Sequence, residues 1–321
     1  MAAKTDISII LCTYNRASRL ASVLDALAKL EAAAGLSHEI LVVDNNSYDG
    51  TRAVVDAAMT ARPGIRYAFE SRQGLSWARN KGIEEARGGL VAFTDDDVVV
   101  DPGWLAALAR AYRQHPQVGF GGKILPVWDF IPPPWFVGSG PFNMLRGGVV
   151  VGHDLGDEPL EYREGMMTPV GANMAFRREA FARHGLFRTD LGKTGKKAFF
   201  GEDAEFCGRL LRAGEKLLYL PQAVIRHPVD REKMTRRHFA VSFFNIGRSI
   251  GRRNDYPKNT VRYLGIPRYL VRMLMIQASQ GFKALARGKS AEAFHHKLES
   301  LRLLGQILET FRLTSDRGSR S

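Results

Sequence analysis

The chain has 321 residues, of which 45% are hydrophobic and 25% are charged, a composition typical of a folded globular protein. Its two cysteines, Cys12 and Cys207, each lie in an apolar stretch, which excludes a disulfide-rich scaffold and favours free thiols in a reducing compartment. No apolar run approaches the roughly 20 residues needed to span a bilayer, and residues 1–6 lack the apolar core of a signal peptide. We therefore expect a cytoplasmic protein.

The net charge of +13 is confined to one end of the chain. The last 96 residues, from Arg226 onward, contain 20 basic and 7 acidic residues, whereas the preceding 225 residues carry 26 of each. This asymmetry predicts a neutral body with a basic appendage that meets an anionic partner.

The first 112 residues alternate between strand and helix patterns. Buried-strand patterns cover residues 6–12, 39–43, 65–69 and 90–93, and helical patterns cover residues 18–30, 51–61, 76–87 and 104–112. This spacing is typical of βαβ units, which favours a parallel sheet with helices on both faces.

Polar residues follow three of these strands, at Thr13–Arg16, Asp44–Ser47 and Asp95–Asp97. The carboxyl ends of parallel strands meet at one edge of a sheet, which is where ligands bind in open α/β folds. Three adjacent carboxylates repel one another unless a cation neutralises them, and oxygen ligands suit Mg²⁺ or Mn²⁺. The third segment therefore predicts a metal and phosphate site. A solvated acidic turn is the alternative that these residues alone leave open.

No glycine-rich dinucleotide motif and no P-loop sequence follows any strand, so neither type of nucleotide site is supported. Further strand patterns cover residues 118–127, 170–176 and 216–225, and further helical patterns cover residues 178–183 and 202–213. Between them, residues 129–169 are rich in proline and glycine, which is typical of a functional or mobile excursion.

Basic residues flank apolar helical faces throughout residues 229–321. This pattern predicts a helix that lies on an anionic membrane surface. A helical cap with a solvated basic face is the alternative. The region has no recognisable nucleic-acid-binding motif, so we do not expect nucleic acid as a partner.

Six segments, taken in their order and spacing, resemble glycosyltransferase family 2. They are Ser8–Arg16, Ile40–Gly50, Gly74–Asn80, Phe93–Asp97, Gly171–Asn173 and Gly201–Asp203. The resemblance covers about residues 6–228. It implies an α/β protein of the GT-A (Rossmann-like) fold, with a mixed, mainly parallel sheet and helices on both faces. The charge and helical patterns beyond it predict a basic α-helical C-terminal extension.

The resemblance implies a catalytic domain over residues 1–228, and the residue pattern beyond it predicts a basic helical region over residues 229–321. Residues 1–127 would form the nucleotide-sugar-binding half of the catalytic domain, and residues 128–228 the acceptor and catalytic half.

The resemblance also implies roles for individual residues. Asp203 matches the catalytic base of inverting members, and Glu202 would support the acceptor region. Asp95 and Asp97 would hold a divalent cation, Mn²⁺ or Mg²⁺, with His227 either as a further metal ligand or as a structural histidine. The residues implied in nucleotide-sugar binding are Thr13, Tyr14, Asn15, Arg16, Asp44, Asn46, Gly74, Leu75, Arg79, Asp95 and Asp96. The residues expected near the acceptor are Trp128, Trp135 and Asn173.

These features predict a metal-dependent inverting glycosyltransferase. It would move a sugar from a UDP-, dTDP- or GDP-linked donor to a hydroxyl of a glycan or lipid-linked acceptor in polysaccharide or cell-envelope biosynthesis, on the inner face of the plasma membrane. One alternative is a sugar-1-phosphate nucleotidyltransferase, although no glycine-rich triphosphate loop follows the first strand. The other is a non-catalytic sugar- or lipid-binding scaffold, which would not need the complete set of carboxylates.

Overall fold

The structure, a computed structural model, describes residues 5–30, 35–194, 197–257 and 259–318. The chain divides into two compact units. The first comprises residues 1–127, 152–195 and 202–228, and the second comprises residues 128–151, 196–201 and 229–321. The second unit thus combines residues 128–151 with the C-terminal region, and the domain boundary expected at residue 228 stays a prediction.

The strands and helices follow the predicted alternation. The strands are β1 (Ile7–Thr13), β2 (His38–Asp44), β3 (Ile65–Phe69), β4 (Leu90–Asp95), β5 (Val99–Val100), β6 (Gly119–Val127), β7 (Leu160–Glu161), β8 (Asn173–Arg177), β9 (Lys193–Thr194), β10 (Lys197–Ala198), β11 (Leu217–Pro228), β12 (Arg262–Tyr263) and β13 (Ile266–Pro267). The helices are α1 (Ala17–Leu27), α2 (Thr51–Ala61), α3 (Leu75–Glu85), α4 (Trp104–Gln114), α5 (Arg178–His184), α6 (Glu202–Arg212), α7 (Arg236–Arg253), α8 (Arg268–Ala286) and α9 (Ser290–Gly318).

The first unit is built on one mixed sheet with the strand order β3-β2-β1-β4-β8-β6-β11-β5, and β7 pairs with β11. The strands β1 to β4 are mutually parallel, and β8 runs antiparallel between β4 and β6. Right-handed crossovers place α1 and α2 on one face and α3 on the other, because the chain reverses direction along the sheet after β3. The predicted mixed, mainly parallel sheet with helices on both faces is confirmed.

Alternation along the strands fills both faces of this sheet. Ile10 and Phe93 belong to a buried cluster that also contains Ala78 of α3, Phe181 of α5 and Phe206 of α6. Their neighbours along the strands point to the opposite face and are equally buried. The continuous apolar runs in the sequence therefore reflect strands that are covered on both sides. Within this unit, the two cysteines are free thiols.

The second unit is mainly helical, and α7 packs against α9 at very short range. A Cβ atom added at Gly247 of α7 would collide with the backbone of Arg302, and one added at Gly305 of α9 would collide with the backbone of Phe244. The two glycines therefore allow the helix axes to approach closely. Among the described residues, none of the helices has both the length and the apolar character required to cross a membrane.

A buried carboxylate links α9 to α7 in the second unit. Glu309 is 2% exposed and accepts hydrogen bonds from Arg248 Nε at 3.0 Å and from Arg252 Nε at 2.9 Å. Both arginines come from α7, one turn apart, so that a single carboxylate pairs with two cations.

We predict that Glu309→Ala lowers the free energy of unfolding of the second unit by about 3 kcal/mol, because it removes the buried carboxylate that pairs with two partly buried guanidinium groups. Asp56→Ala, which removes the exposed Arg52 pair on α2, is the control and should cost less than about 0.5 kcal/mol. Urea unfolding, followed by the fluorescence of all four tryptophans, two in each unit, measures both variants. Equal losses in the two variants would contradict a structural role for Glu309.

Candidate active site

The polar residues that follow β1, β2 and β4 meet at one edge of the sheet. In the parallel register, Thr13 lies opposite Asp44 and Cys12 lies opposite Asp95. Beyond the strands, the N–H group of Asn45 still donates to the carbonyl of Thr13 at 2.9 Å. The three segments recognised in the sequence therefore form one edge.

Two acidic residues and a histidine converge at this edge. One potential ligand atom from each of Asp95, Asp97 and His227 lies within 4.8 Å of the other two. His227 arrives there because β5, just after Asp97, pairs antiparallel with the end of β11. The Nε2 atom of His227 consequently lies 3.8 Å from Oδ1 of Asp97.

The chemistry of this group suits a divalent cation. Nδ1 of His227 lies 3.0 Å from the carbonyl of Pro228, which can only accept, so the neutral ring donates from Nδ1 and keeps a lone pair on Nε2. Histidine ligands are commonly oriented in this way by a carbonyl. Two carboxylates and one imidazole form a donor set that Mn²⁺ accepts readily, whereas Mg²⁺ prefers oxygen ligands alone.

Asp96 points away from this cluster. Thr13 Oγ1 donates to its Oδ2 atom at 2.7 Å, and burial raises the pKa of Asp96 to about 6. Asp95 and Asp97, two positions apart, thus share one side of the chain, and the residue between them joins the end of β4 to the end of β1.

A buried arginine connects the cluster to α6. The guanidinium of Arg79, which is 3% exposed, pairs with Glu202 through Nη1 and lies 3.6 Å from Oδ1 of Asp95 through Nη2. A Cβ atom at Gly171 would overlap this guanidinium, so the glycine makes room for it. Arg79 was expected to line the nucleotide pocket; its guanidinium instead lies buried between carboxylates.

The electrostatics of these groups follow from their burial. Burial raises the pKa of Glu202 to about 7 and also raises the pKa of Asp95, although the charge of Arg79 opposes both shifts. Burial alone would lower the pKa of Arg79, but the surrounding carboxylates reverse this effect and raise it. Glu202 is thus a buried partner of Arg79, and little of Glu202 is exposed to solvent.

Asp203 is the more accessible acid of the pair at the start of α6. Its Oδ2 atom accepts from the N–H group of Gly171 at 2.8 Å, and its Oδ1 atom accepts from the N–H group of Ala204 at 2.7 Å. These two bonds fix the orientation of the carboxylate. Each oxygen retains a lone pair that can accept a further proton donor.

The turns after β1 and β2 contain most of the residues expected to bind the nucleotide sugar. Asn15 and Asn46 both adopt left-handed backbone conformations, with φ of 52° and 64°. The N–H of Asn15 donates to Ser47 Oγ at 2.9 Å, and the N–H of Tyr48 donates to Asn15 Oδ1 at 3.0 Å. The two turns therefore hold each other in position.

Other expected nucleotide ligands flank these turns. Asp44 is buried and accepts from Tyr67 OH at 3.0 Å. Tyr14 is partly exposed and packs edge-to-face against Tyr48, with 6.2 Å between ring centroids. Arg16 lies 3.8 Å from Asp97, so a positive charge adjoins the acidic cluster.

Asn45 organises this region but was not singled out in the sequence. It is buried, and its Oδ1 atom accepts from the N–H group of Gly74 at 2.8 Å, just before Leu75 begins α3. Its Nδ2 atom donates to the carbonyl of Arg72 at 2.8 Å. Its place between Asp44 and Asn46 at a strand end was the available signal.

The residues expected near the acceptor lie in different environments. Asn173 is fully buried; its amide donates to the carbonyls of Lys123 and Ala223 and accepts from Trp104 Nε1. With its hydrogen bonds directed into the fold, Asn173 joins β6, β8, β11 and α4 and is not exposed. Its place near the acceptor stays a prediction.

Trp128 and Trp135 belong to the second unit. Trp128 packs against Phe136, with 5.3 Å between centroids, and Trp135 packs against Phe239 at 5.1 Å. Both rings are partly buried against an apolar cluster there. Their stacking on an acceptor sugar stays a prediction.

Comparison with known proteins identifies the family. The sequence profile of "Glycosyl transferase family 2" matches residues 8–185, more than half of the chain. The chain belongs to this family. It is therefore an enzyme that transfers glycosyl groups.

Two relatives align with this chain over most of their own length. The chain is 29% identical over 224 residues to a glucosyl-dolichyl phosphate glucuronosyltransferase of Haloferax volcanii, covering 69% of this chain and 68% of the relative. It is 27% identical over 248 residues to the succinoglycan biosynthesis protein ExoM of Rhizobium meliloti, covering 77% and 74%.

Solved structures support the GT-A fold. A mannosyltransferase of Pyrobaculum calidifontis, solved with GDP-Man and Mn²⁺, matches with a TM-score of 0.54 at 19% identity, covering 100% of this chain and 76% of that one. GalNAc-T7, solved with UDP, GalNAc and Mn²⁺, matches with a TM-score of 0.57 at 17% identity, covering 100% and 57%.

We predict that the chain binds Mn²⁺ and that Asp97→Asn weakens this binding more than roughly tenfold, because it removes a charged ligand. Asp101→Asn is the matched control: this nearby acid lies outside the cluster, pairs with Arg226 at 3.1 Å, and should leave binding unchanged. Calorimetric titration with Mn²⁺ measures both. Unchanged affinity in Asp97→Asn would contradict the assignment of this residue.

We also predict that Mn²⁺ binds more weakly at acidic pH than at neutral pH. Burial raises the pKa of Asp95, which belongs to the cluster, so a proton must leave this carboxyl group before the site is fully charged. Titrations in two buffers of different ionisation enthalpy should detect more proton release under acidic conditions than at about pH 8. A pH-independent affinity would rule out this coupling.

Proposed function

We propose that this protein is a metal-dependent inverting glycosyltransferase that transfers one sugar from a nucleoside-diphosphate sugar to a hydroxyl group. The observation that carries the proposal is the arrangement around Arg79. Its guanidinium lies 3.6 Å from Asp95 of the cluster and pairs with Glu202, whose neighbour along the chain at the start of α6 is Asp203. A site for a diphosphate and a site for a base thus adjoin each other.

The first half of the site suits the donor. Asp95, Asp97 and His227 would hold a divalent cation, which, when bound, neutralises the negative charge that grows on a leaving diphosphate. The turns at Asn15 and Asn46 and the exposed ring of Tyr14 supply hydrogen-bonding groups and an aromatic surface for the nucleoside.

The second half suits the acceptor. In the reaction we propose, the acceptor hydroxyl loses its proton to Asp203 as its oxygen bonds to the anomeric carbon of the donor sugar. The bond from that carbon to the diphosphate breaks, and the configuration inverts because attack and departure occur on opposite faces. The hydrogen bonds from Gly171 and Ala204 hold the base in position.

The relatives favour a glycan or lipid-linked acceptor. One is named for a glucosyl-dolichyl phosphate substrate and the other for the biosynthesis of succinoglycan. Together with the basic C-terminal region, these names support a role in polysaccharide or cell-envelope biosynthesis at the inner face of the plasma membrane. The nucleotide of the proposed donor is UDP, dTDP or GDP. The solved neighbours include proteins with GDP-Man, UDP and UDP-GlcNAc.

Asp203→Asn should lower the transfer rate by roughly 10²- to 10⁴-fold while changing donor affinity little, because it removes the base but not the donor site. Asp190→Asn, at an exposed acid paired with Arg188, is the matched control and should retain wild-type transfer. Radiolabelled sugar transfer and donor calorimetry give the two readouts. Wild-type turnover in Asp203→Asn would remove this residue as the base.

The donor is best identified by calorimetry with UDP, dTDP, GDP and CDP, each with Mn²⁺ and then with a chelator. We expect one diphosphate to bind tightly and only with the metal. The corresponding triphosphate should not be consumed with a sugar 1-phosphate, which is the reaction of a nucleotidyltransferase. Failure of all four diphosphates to bind would contradict the proposed donor class.

A further inference from the structure

A long segment of the second unit contains no acidic residue. Between Asp255 and Glu292, the 36 residues 256–291 include seven lysines and arginines and no aspartate or glutamate. This segment contains the hairpin formed by β12 and β13 and the whole of α8. Its positive charge therefore has no acidic residue within the segment to offset it.

One side of α8 is buried and the other is open. Leu270 and Ala284 are buried, whereas Met275 is 63% exposed, Phe282 is 74% exposed and Leu285 is 63% exposed. Val271, Met275 and Phe282 recur at positions i, i+4 and i+11, so at 3.6 residues per turn they lie along the same side of the helix. These exposed side chains form an apolar strip.

Basic side chains run beside this strip. Arg268, Arg272 and Lys283 recur at positions i, i+4 and i+15, which places them on a neighbouring side of the same helix, and all three are exposed. Helix α8 thus presents an apolar strip next to a basic strip along a length of about 28 Å.

The hairpin adds more exposed apolar groups at the start of α8. Tyr263 is 75% exposed, and Val261 and Leu264 are likewise largely exposed. The N–H group of Arg268 donates to the carbonyl of Val261 at 3.0 Å, which holds the hairpin against the first turn of the helix. We call the exposed side chains of residues 261–287 the hairpin–α8 surface.

Single exposed apolar residues are normal on a protein surface, but a continuous group of them beside unbalanced positive charge marks a binding surface. A bilayer that contains anionic lipids complements both features, because its acyl chains accept the apolar side chains and its headgroups attract the arginines and lysines. An acidic protein surface would match the charge but would not require so many aliphatic and aromatic tips.

We propose that the hairpin–α8 surface docks the enzyme onto an anionic lipid bilayer, with α8 lying along the membrane–water interface. This inference rests on the proposed function, because docking would bring the enzyme to a lipid-linked acceptor. It assigns the attachment to one hairpin and one helix rather than to the basic C-terminal region as a whole.

The test is flotation of the full chain with vesicles of phosphatidylcholine alone and of phosphatidylcholine with about 30% phosphatidylglycerol. We expect binding to the anionic vesicles only, weakened by about 0.5 M NaCl. The variant Phe282→Ser/Leu285→Ser should bind at least roughly tenfold more weakly. Ile131→Ser/Val241→Ser, which removes two exposed apolar side chains elsewhere in the same unit, should bind like the wild type.

Charge-reversal variants distinguish vesicle binding by the hairpin–α8 surface from binding through the total charge of the chain. Arg272→Glu/Lys283→Glu should reduce vesicle binding at least roughly tenfold, whereas Arg110→Glu/Arg113→Glu on α4, with the same change in net charge, should reduce it far less. Donor binding, measured on the same variants by calorimetry, should stay unchanged throughout, since none of these residues belongs to the active site.

Equal losses in both charge variants, or no binding of the wild type to anionic vesicles, would overturn the proposal. A dimer in sedimentation experiments that dissociates in Phe282→Ser/Leu285→Ser, without vesicle binding, would instead assign the surface to a second copy. A wild-type chain that binds the donor but not anionic vesicles removes only this inference. Absence of donor binding in a wild-type chain that binds vesicles removes the proposed function instead.

Discussion

The active site depends on the buried guanidinium of Arg79. Carboxylates at the edge of a sheet repel one another, and partial burial makes their charged forms more costly. Arg79 offsets part of this charge by pairing with Glu202 and approaching Asp95, and it occupies space that only a glycine at position 171 leaves free. One fixed cation between several acids leaves the site net negative, which is the electrostatic setting in which a mobile divalent cation binds.

The two units of the chain are packed in different ways. In the first, alternating residues fill both faces of one sheet, so the polar groups that the strands cannot bury accumulate at their carboxyl ends. In the second, close packing of α7 and α9 and the carboxylate of Glu309 organise a helical body. Basic residues in excess of its acidic ones remain on that body, and α8 leaves apolar groups exposed beside them. The residues that match glycosyl transferase family 2, 8–185, lie mostly in the first unit and also include residues 128–151 of the second.

Local patterns located most of the elements and predicted the acidic part of the candidate site. The strands β1, β2, β3 and β4 were predicted to within about two residues because continuous apolar runs between turn signals identify buried strands. Sequence adjacency also located Asp95 and Asp97. It could not reveal that Asn173 turns inward to three elements, or that Arg79 lies beneath the carboxylates, because both depend on contacts with residues about 50 to 120 positions away.

The sequence by itself determined the alternation of strands and helices, the edge at which polar residues would gather, the family and the location of the excess charge. These properties follow from periodicity, composition and the order of short motifs. The tertiary structure alone decided that the pairing of β5 with β11 brings His227 to Asp97, that Asp96 faces Thr13 instead of the acidic cluster, and that residues 128–151 join the C-terminal helices. Each of these depends on register and packing between distant segments, which the local residue pattern does not specify.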